Sequence, residues 1–394
     1  MENKPHLKAQ LAALALAFTA VVPSLRAQIS VPYADGSDGA INITSSTIVD
    51  LSQAGSGSWT NTSAKPGFGT YDPAQWGVVF KYSNVVISSG ATLTFSNHIT
   101  HAPVVWLVSG NVTINGNLNL DGQAASSDPV NLPEPGPGGF RGGGSPTYGA
   151  GPGFGPGGGS INGNGSYNGS YGNPQIIPLI GGSGGGGSTI NNVNGTAGGG
   201  AILIAATGTI TVNGYCHADG GTATGYDGIG SGGAIRLVAN TITGNNGKIE
   251  ALSGGRIRLE ANSVGGTITI NPPTAGVTPA SPATIFPAPN APTVKVVSVY
   301  GITNGLADPK AIMSASPGLD DVTLVTTNAV NIQLQTQNFP TNGTVTVYIK
   351  PRNNGSQTTL TASFVSGNTN SALWHVNASL PYPAHTVIQA RATY

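Results

Sequence analysis

The stretch Pro103-Val-Val-Trp-Leu-Val-Ser-Gly-Asn-Val-Thr-Ile-Asn-Gly116 aligns without a gap with Ala201-Ile-Leu-Ile-Ala-Ala-Thr-Gly-Thr-Ile-Thr-Val-Asn-Gly214. Apolar residues alternate with polar ones in the second half of each copy, and alternation with period two is typical of strands with one buried face. Both copies end in Asn-Gly, a turn signal, and both reach an Asp-Gly pair five residues later. The matched apolar pairs are Val112 with Ile210, Ile114 with Val212, Leu118 with Cys216 and Leu120 with Ala218.

Further copies follow and precede these two. One begins at Ala234, a shorter one begins at Arg256, and a partial one covers residues 84–95. The copies at Ala234 and Arg256 start 22 residues apart, whereas the longer spacings contain glycine-rich insertions directly after the Asp-Gly pair. One unit of about 22 residues cannot bury its apolar face alone, but stacked copies can cover one another.

This pattern resembles the right-handed parallel β-helix of the pectin-lyase-like class. The inward alternations Val112/Ile114, Ile210/Val212 and Ile249/Ala251, together with the Asn-Gly corners, carry the resemblance, which covers about 41–270. It implies an all-β solenoid and leaves function open, because this fold serves enzymes, adhesins and structural proteins alike. A β-sandwich or a propeller is the alternative architecture, although unequal insertions at one fixed corner favour the solenoid.

The N-terminal residues 1–27 have the pattern of a secretory signal peptide. Lys4 and Lys8 precede an uncharged, mostly apolar stretch, and Leu25-Arg26-Ala27 ends in a small residue, which predicts cleavage before Gln28. A membrane anchor is the alternative, but the uncharged stretch is short for a bilayer and Pro23 interrupts it. We therefore expect a secreted or cell-surface protein with no transmembrane segment after cleavage.

Composition excludes several classes of protein. The 60 Gly and 28 Pro among 394 residues disfavour a helical protein, and the glycines follow no collagen period. Lys and Arg together number 15, as do Asp and Glu, so no basic excess points to nucleic acid. The single Cys216 cannot form an internal disulfide and matches core positions of other copies, which predicts a buried thiol.

The glycine-rich insertion covers about 136–200, with 27 Gly in 65 positions and Arg141 as its one charged residue. Three interpretations remain open: a sticky or self-associating loop, a solvated and poorly ordered insert, and glycine backbone packed closely along one face of the β-helix. The first would use its scattered aromatic residues as contact area, among them Tyr148, Tyr167 and Tyr171.

After the signal-like segment, the sequence divides into three regions: a β-helix domain at 28–270, a Pro-rich linker at 271–292 and a C-terminal domain at 293–394. The linker holds seven Pro and no charge, which predicts an extended spacer. About seven short alternating runs after it predict an immunoglobulin-like sandwich similar to bacterial fibronectin-type modules. The predicted strands are Val294–Val299, Val322–Thr327, Val330–Thr336, Thr344–Ile349, Thr358–Phe364, Ala372–Val376 and Thr386–Ala392.

Candidate binding residues are three arginines. Arg236 and Arg258 hold equivalent positions one unit apart, and Arg256 lies on the same side. The arginines are predicted to bind an anionic glycan, and Tyr148, Tyr167 and Tyr171 of the insertion complete the set of predicted ligand-binding residues. A solvated basic ladder, partly compensated by Glu250 or Glu260, is the alternative interpretation.

No catalytic constellation is evident. Asp121 and Asp219 occupy equivalent corners, where they either form Asp-Gly turns or stack as a carboxylate pair. His98 and His101 form a loop pair that we expect to be exposed, with a surface metal site as the alternative. His217 is predicted to point outward. We expect no cofactor, with calcium held by carboxylates as the one exception left open.

The predicted function is therefore that of a secreted, noncatalytic, structural or adhesive protein of the cell surface or extracellular matrix. It would bind polysaccharide or associate with itself, and its regular Thr and Asn ladders also allow binding to ice or a crystal surface. A polysaccharide lyase or glycoside hydrolase is the enzyme alternative, and it requires carboxylates from distant copies to meet on one face.

Overall fold

The computed structural model of the chain describes residues 28–57, 59, 68–128, 132–145, 151–159, 171–223, 228–303, 322, 324–351, 357–380 and 386–394. Within these ranges the protein is all-β, with 25 strands and one 3-10 helix of three residues, Leu51–Gln53. None of these residues forms a helix with the length and hydropathy that a membrane span requires.

Eighteen of the described strands lie before residue 292 and form two sheets. They are β1 (Ile41–Ile43), β2 (Thr47–Asp50), β3 (Gly55–Ser56), β4 (Thr70–Asp72), β5 (Gly77–Phe80), β6 (Val85–Ile87), β7 (Thr92–Ser96), β8 (Val104–Val108), β9 (Val112–Ile114), β10 (Asn117–Asn119), β11 (Ala201–Ala206), β12 (Thr209–Val212), β13 (Tyr215–His217), β14 (Ala234–Thr243), β15 (Asn245–Glu250), β16 (Arg256–Val264), β17 (Thr267–Asn271) and β18 (Gly276–Val277).

Pairing within both sheets is parallel, apart from the antiparallel pair β4–β5. The six-stranded sheet has the order β17-β15-β13-β10-β7-β2, and the other twelve strands form the second sheet. The register reproduces the sequence repeat: Ile210 pairs with Val112, Cys216 with Leu118, and Ala234 with Arg256. The all-β class is thus confirmed, and the repeat determines which strands pair.

Alternate residues of both sheets share one apolar core. Leu118, Cys216 and Ile249 enter it from the six-stranded sheet, and Ile202 and Ile235 enter it from the twelve-stranded sheet. All five are fully buried. Because burial requires an apolar residue at every second position of every copy, the period-two pattern of the repeat is explained by this core.

The outer face of β5, β8, β11 and β14 is also covered. Val105, Leu203 and Val238 on that face pack against Ile29, near the start of the described chain, and against Ile285 of the Pro-rich segment. The two covering segments bond to each other, since the Ala283 N–H donates to the Ser30 carbonyl at 2.8 Å. Part of the Pro-rich segment 271–292, predicted to be a spacer, thus packs onto the sheet because it shields apolar side chains there.

Extended backbone without regular sheet pairing fills the region beside the two sheets. The Phe140 N–H donates to the Gly182 carbonyl, and three residues later the Gly143 N–H donates to the Gly185 carbonyl (2.9 and 2.8 Å). The same interval of three residues relates the other neighbouring segments in this region. A three-residue interval is that of the polyproline II helix, which has three residues per turn and no internal hydrogen bonds. We call the segments 138–144, 151–154, 182–187, 195–200 and 228–231 the glycine bundle.

Glycine is required inside the glycine bundle because its chains lie too close together for side chains. A Cβ atom at Gly184 would lie 1.8 Å from the Arg141 carbonyl oxygen, and one at Gly185 would lie 1.8 Å from that of Gly228. Residues 181–188 are all buried. Of the three interpretations of the insertion, the described part of it fits close backbone packing rather than a solvated loop.

The remaining strands form two antiparallel sheets that share one core around Phe339 and Trp374. Val322–Thr327, predicted to be a strand, contains none among its described residues, and the predicted strand Thr358–Phe364 is divided in two. The strands are β19 (Thr293–Val299), β20 (Val330–Gln337), β21 (Thr344–Pro351), β22 (Thr358–Thr361), β23 (Ser363–Asn368), β24 (Ser371–Ala378) and β25 (Thr386–Thr393).

Candidate functional site

A cluster of ionisable side chains lies on the outer face of the six-stranded sheet, where β10, β13 and β15 are adjacent. In register, His217 of β13 pairs with Asn119 of β10 and with Glu250 of β15. Because Cys216 and Ala218 belong to the core, alternation turns His217 to the opposite face. We call Asp121, Tyr215, His217, Lys248, Asp219 and Glu250 the corner cluster.

The aspartates of the corner cluster follow β10 and β13 at equivalent positions, and each accepts a hydrogen bond from the backbone of a neighbouring segment. Asp121 Oδ1 accepts the Asp219 backbone N–H at 2.7 Å, and Asp219 Oδ1 accepts the Leu252 N–H at 2.6 Å. Asp121 Oδ2 lies 2.8 Å from His217 Nδ1. Asp121 and Asp219 therefore fit both interpretations of the sequence: they stabilise the corners, and they lie on one face of the sheet. His217 lies on that face with them.

Tyr215, two residues before His217 on β13, packs against the histidine ring. The two rings are stacked with centroids 4.1 Å apart and planes 24° from parallel. The Tyr215 hydroxyl donates to Glu250 Oε2, and Lys248 Nζ lies 3.0 Å from Glu250 Oε1. Stacking and hydrogen bonding together fix the ring orientation, so His217 is buried although it points away from the core.

The pKa values of Asp219 and Glu250 in this cluster are shifted in opposite directions. Burial raises the pKa of Asp219, and the neighbouring charge of Asp121 adds to the increase despite the Leu252 N–H. Burial also acts to raise the pKa of Glu250, but the bonds from Tyr215 and Lys248 outweigh it and lower the pKa. Burial raises the pKa of Tyr215, and its bond to Glu250 adds to this increase. The cluster thus holds a carboxyl group biased toward protonation beside one biased toward ionisation.

Among the described residues, Asp121, His217 and Asp219 form the one group of three side chains with the composition and proximity to hold a metal ion. One donor atom from each lies within 4.8 Å of the other two. The group combines one nitrogen donor with carboxylate oxygens, and 31% of the Asp121 side chain is exposed to solvent, whereas His217 is buried. Such an arrangement can bind a cation, or transfer a proton through a histidine oriented by a carboxylate.

The predicted arginines lie elsewhere, on the twelve-stranded sheet. Arg236 and Arg258 are neighbours on β14 and β16, as the equivalence of their positions predicts. Arg236 is only 1% exposed, however, because the segment around Ile285 covers it. Its Nε lies 2.9 Å from Glu260 Oε1, and Arg258 Nε lies 2.6 Å from the same oxygen. The expectation that Arg236 is solvent-facing is therefore wrong, and the carboxylate that compensates it is Glu260.

The other predicted binding residues are only partly described. Tyr171 donates its hydroxyl hydrogen bond to the Gly181 carbonyl, and burial raises the pKa of this phenol. The charge of Arg256, the first residue of β16, acts in the opposite direction on the pKa of the same phenol. Tyr148 and Tyr167 lie outside the described residues.

His98 and His101 are buried, so the expectation of an exposed histidine pair is wrong. The His98 ring stacks on Tyr71 with centroids 4.3 Å apart, and its Nδ1 lies 2.8 Å from Thr100 Oγ1. Burial lowers the pKa of His101 to about 3, and the charge of Arg141 adds to the shift. A cation is an unfavourable neighbour for a bound metal ion, so this pair is a poor metal site.

The sequence predicted that Asp121 and Asp219 could stack as a pair, but it did not bring His217 together with them. The signal that could have combined them was the alignment of copies, because Asp121 matches Asp219 and His217 lies two residues before that position. Stacking two copies places the carboxylate of one beside the histidine of the next. Comparison with protein-family models, with curated proteins and with solved structures found no match to this chain.

Proposed function

We propose that the first region is a β-helix and that the chain is a secreted, noncatalytic protein of the cell surface or matrix that binds an extended polysaccharide. The strand pairing supports the β-helix: β11, β12 and β13 pair in turn with β8, β9 and β10, which precede them by 98 residues. A chain that runs through two sheets and then returns to pair with its own previous pass completes one coil. The signal-like residues 1–27 support secretion.

The C-terminal region fits a role as an appendage or spacer. Its four-stranded and three-stranded antiparallel sheets pack around one core, and Trp374 in that core donates a hydrogen bond to Thr336 Oγ1 at 2.9 Å. Seven strands in two packed sheets support the proposal of an immunoglobulin-like sandwich.

The proposal of polysaccharide binding rests on the regular rows of polar side chains on the outer face of the six-stranded sheet. Each strand of a sheet lies about 4.7–4.9 Å from the next, so the polar side chains of successive coils form a regular row. In one row, Asn117, Tyr215, Lys248 and Thr269 lie side by side in register. Hydroxyl, amide and ammonium groups at a constant interval match a polymer with repeating hydroxyl groups, and the parallel sheet keeps them rigid.

Binding and cleavage are tested together on the mature chain, residues 28–394. We expect retention of at least one acidic or neutral polysaccharide on a glycan array, with no reducing ends or unsaturated products formed. The double variant Asn117→Ala/Lys248→Ala should lose that binding, whereas Asn377→Ala, an exposed asparagine of β24, should retain it. Binding that survives the double variant, or the absence of any glycan binding, would contradict the proposal.

One observation favours the enzyme alternative. The opposite pKa shifts of Asp219 and Glu250 are those expected of an acid and a base in glycoside hydrolysis. Release of reducing sugar that is abolished by Asp219→Asn would establish this alternative and overturn the noncatalytic proposal. Asn at this position keeps an oxygen for the Leu252 N–H, so the corner can still form.

A further inference from the structure

The corner cluster has donors arranged before any ion is bound. Asp121 and Asp219 are each held by a backbone N–H from a neighbouring segment, at 2.7 and 2.6 Å. His217 is held by stacking on Tyr215, whose hydroxyl bonds to Glu250. Three donor groups from two passes of the chain are thus positioned by contacts that do not depend on a ligand, which is the kind of support that metal ligands require.

The distances among these donors are close to those of a coordination sphere. In a tetrahedral site with metal–nitrogen and metal–oxygen bonds of about 2.0–2.2 Å, the donors lie about 3.3 Å apart. His217 Nδ1 and Asp121 Oδ2 are 2.8 Å apart, and all three donor atoms lie within 4.8 Å of one another. If His217 Nδ1 and Asp121 Oδ2 moved slightly apart and the Asp219 carboxylate rotated toward them, the three donors would therefore surround one ion.

The charge of the corner cluster also suits a dication. Lys248 is paired with Glu250, so its ammonium does not compensate Asp121 or Asp219. A dication would balance those two carboxylates. One imidazole and two carboxylates favour zinc or another first-row transition metal over calcium and magnesium, which take oxygen ligands.

We propose that Asp121, His217 and Asp219 form a binding site for a divalent transition-metal ion of the zinc class, with solvent completing its coordination. This site differs from the calcium expectation drawn from the sequence, because the imidazole changes the preferred metal. Its three ligands do not belong to the row proposed to bind polysaccharide, although Tyr215 of that row stacks on His217. The ion would join the corners of two successive passes of the chain.

The test is metal binding by the tag-free mature chain, measured by titration calorimetry with ZnCl₂ and by the visible spectrum with CoCl₂. We expect one ion per chain and an intense cobalt d–d absorption that indicates four or five ligands. His217→Gln and Asp219→Asn should each weaken binding at least about 100-fold, since loss of a direct ligand exceeds the 10- to 100-fold effect of losing a supporting residue.

His375→Gln is the matched control, because this histidine lies on β24 in the C-terminal region and bonds to Asn331. Its zinc affinity should equal that of the wild type. Asp219→Asn keeps the acceptor for the Leu252 N–H, and far-ultraviolet circular dichroism will show that each variant is folded. Absence of stoichiometric zinc or cobalt in the wild type, or equal affinity in the folded His217→Gln and Asp219→Asn variants, would overturn the site. A positive metal result with no glycan binding would leave the site standing and reject the proposed function.

Discussion

Gly185→Ala tests whether the glycine bundle is a packed structural element. A Cβ atom at this position would lie 1.8 Å from the Gly228 carbonyl oxygen, whereas carbon and oxygen atoms in contact stay at least 3.0 Å apart. Segments 182–187 and 228–231 would have to separate by at least about 1.2 Å, the difference between these two distances. That separation breaks the bonds that join them, in which the Gly228 N–H donates to the Gly186 carbonyl at 2.9 Å and the Ser231 N–H donates to the Ser183 carbonyl at 2.8 Å.

Each buried hydrogen bond left unmade costs about 1–3 kcal/mol, so the two together predict a loss of about 2–6 kcal/mol in the free energy of unfolding. Gly265→Ala is the control, because a Cβ there meets nothing within 4 Å and its φ lies outside the left-handed region. We expect its effect to stay within about 0.5 kcal/mol.

Urea unfolding followed by tryptophan fluorescence measures the difference, with Trp76 and Trp106 reporting from the first region. Hydrogen exchange measured by mass spectrometry localises it, since amides of 182–187 should be protected in the wild type and exposed in Gly185→Ala. Equal midpoints for Gly185→Ala and Gly265→Ala, or unprotected amides in the wild type, would refute the packing argument.

Three further predictions concern buried ionisable groups. Glu260→Gln leaves Arg236 buried without its carboxylate and should cost about 3–5 kcal/mol in urea unfolding, with the effect reversed by a second change of Arg236 to Met. Burial raises the pKa of the Cys216 thiol to about 12, so a thiol reagent at pH 8 should label it only after denaturant is added; rapid labelling of the native protein would count against the burial of this side chain. His101 has a pKa near 6.5 when unfolded and about 3 when folded, so between these values the unfolded chain binds more protons. Stability should therefore fall as pH drops from 6.5 toward 3, by at most about 1.4 kcal/mol per pH unit. His101→Gln should show a smaller fall between pH 7 and pH 5 than the wild type, and an unchanged pH dependence would contradict the burial of a neutral imidazole.

Much of the strand pairing follows from the sequence alone. The alignment of Val112 with Ile210 and of Leu118 with Cys216 is also the register in which these residues pair. Such a pattern is readable because each copy must present an apolar residue at the same place, and one-residue slippage would expose the whole set.

The glycine-rich insertion could not be interpreted in the same way. A glycine-rich composition is typical both of a flexible, solvated chain and of closely packed backbone. In the packed structure the backbone N–H groups donate to other segments of the protein rather than to water. Gly182, for example, is the partner of Phe140. The burial of Arg236 likewise depends on a distant segment, since the residues around Ile285 cover its side chain. Local sequence carries no information on such contacts.

By itself, then, the sequence determined the all-β class, the 22-residue unit and the residues that enter the core, because burial imposes a period that is visible along the chain. Tertiary structure alone decided the corner cluster. Asp121 and His217 are 96 residues apart, and they meet because parallel pairing places β10 and β13 about 4.8 Å from each other. The glycine bundle has a different cause: segment 182–187 bonds to segments 138–144, 195–200 and 228–231 at once, so neighbouring backbone occupies the space that side chains would need.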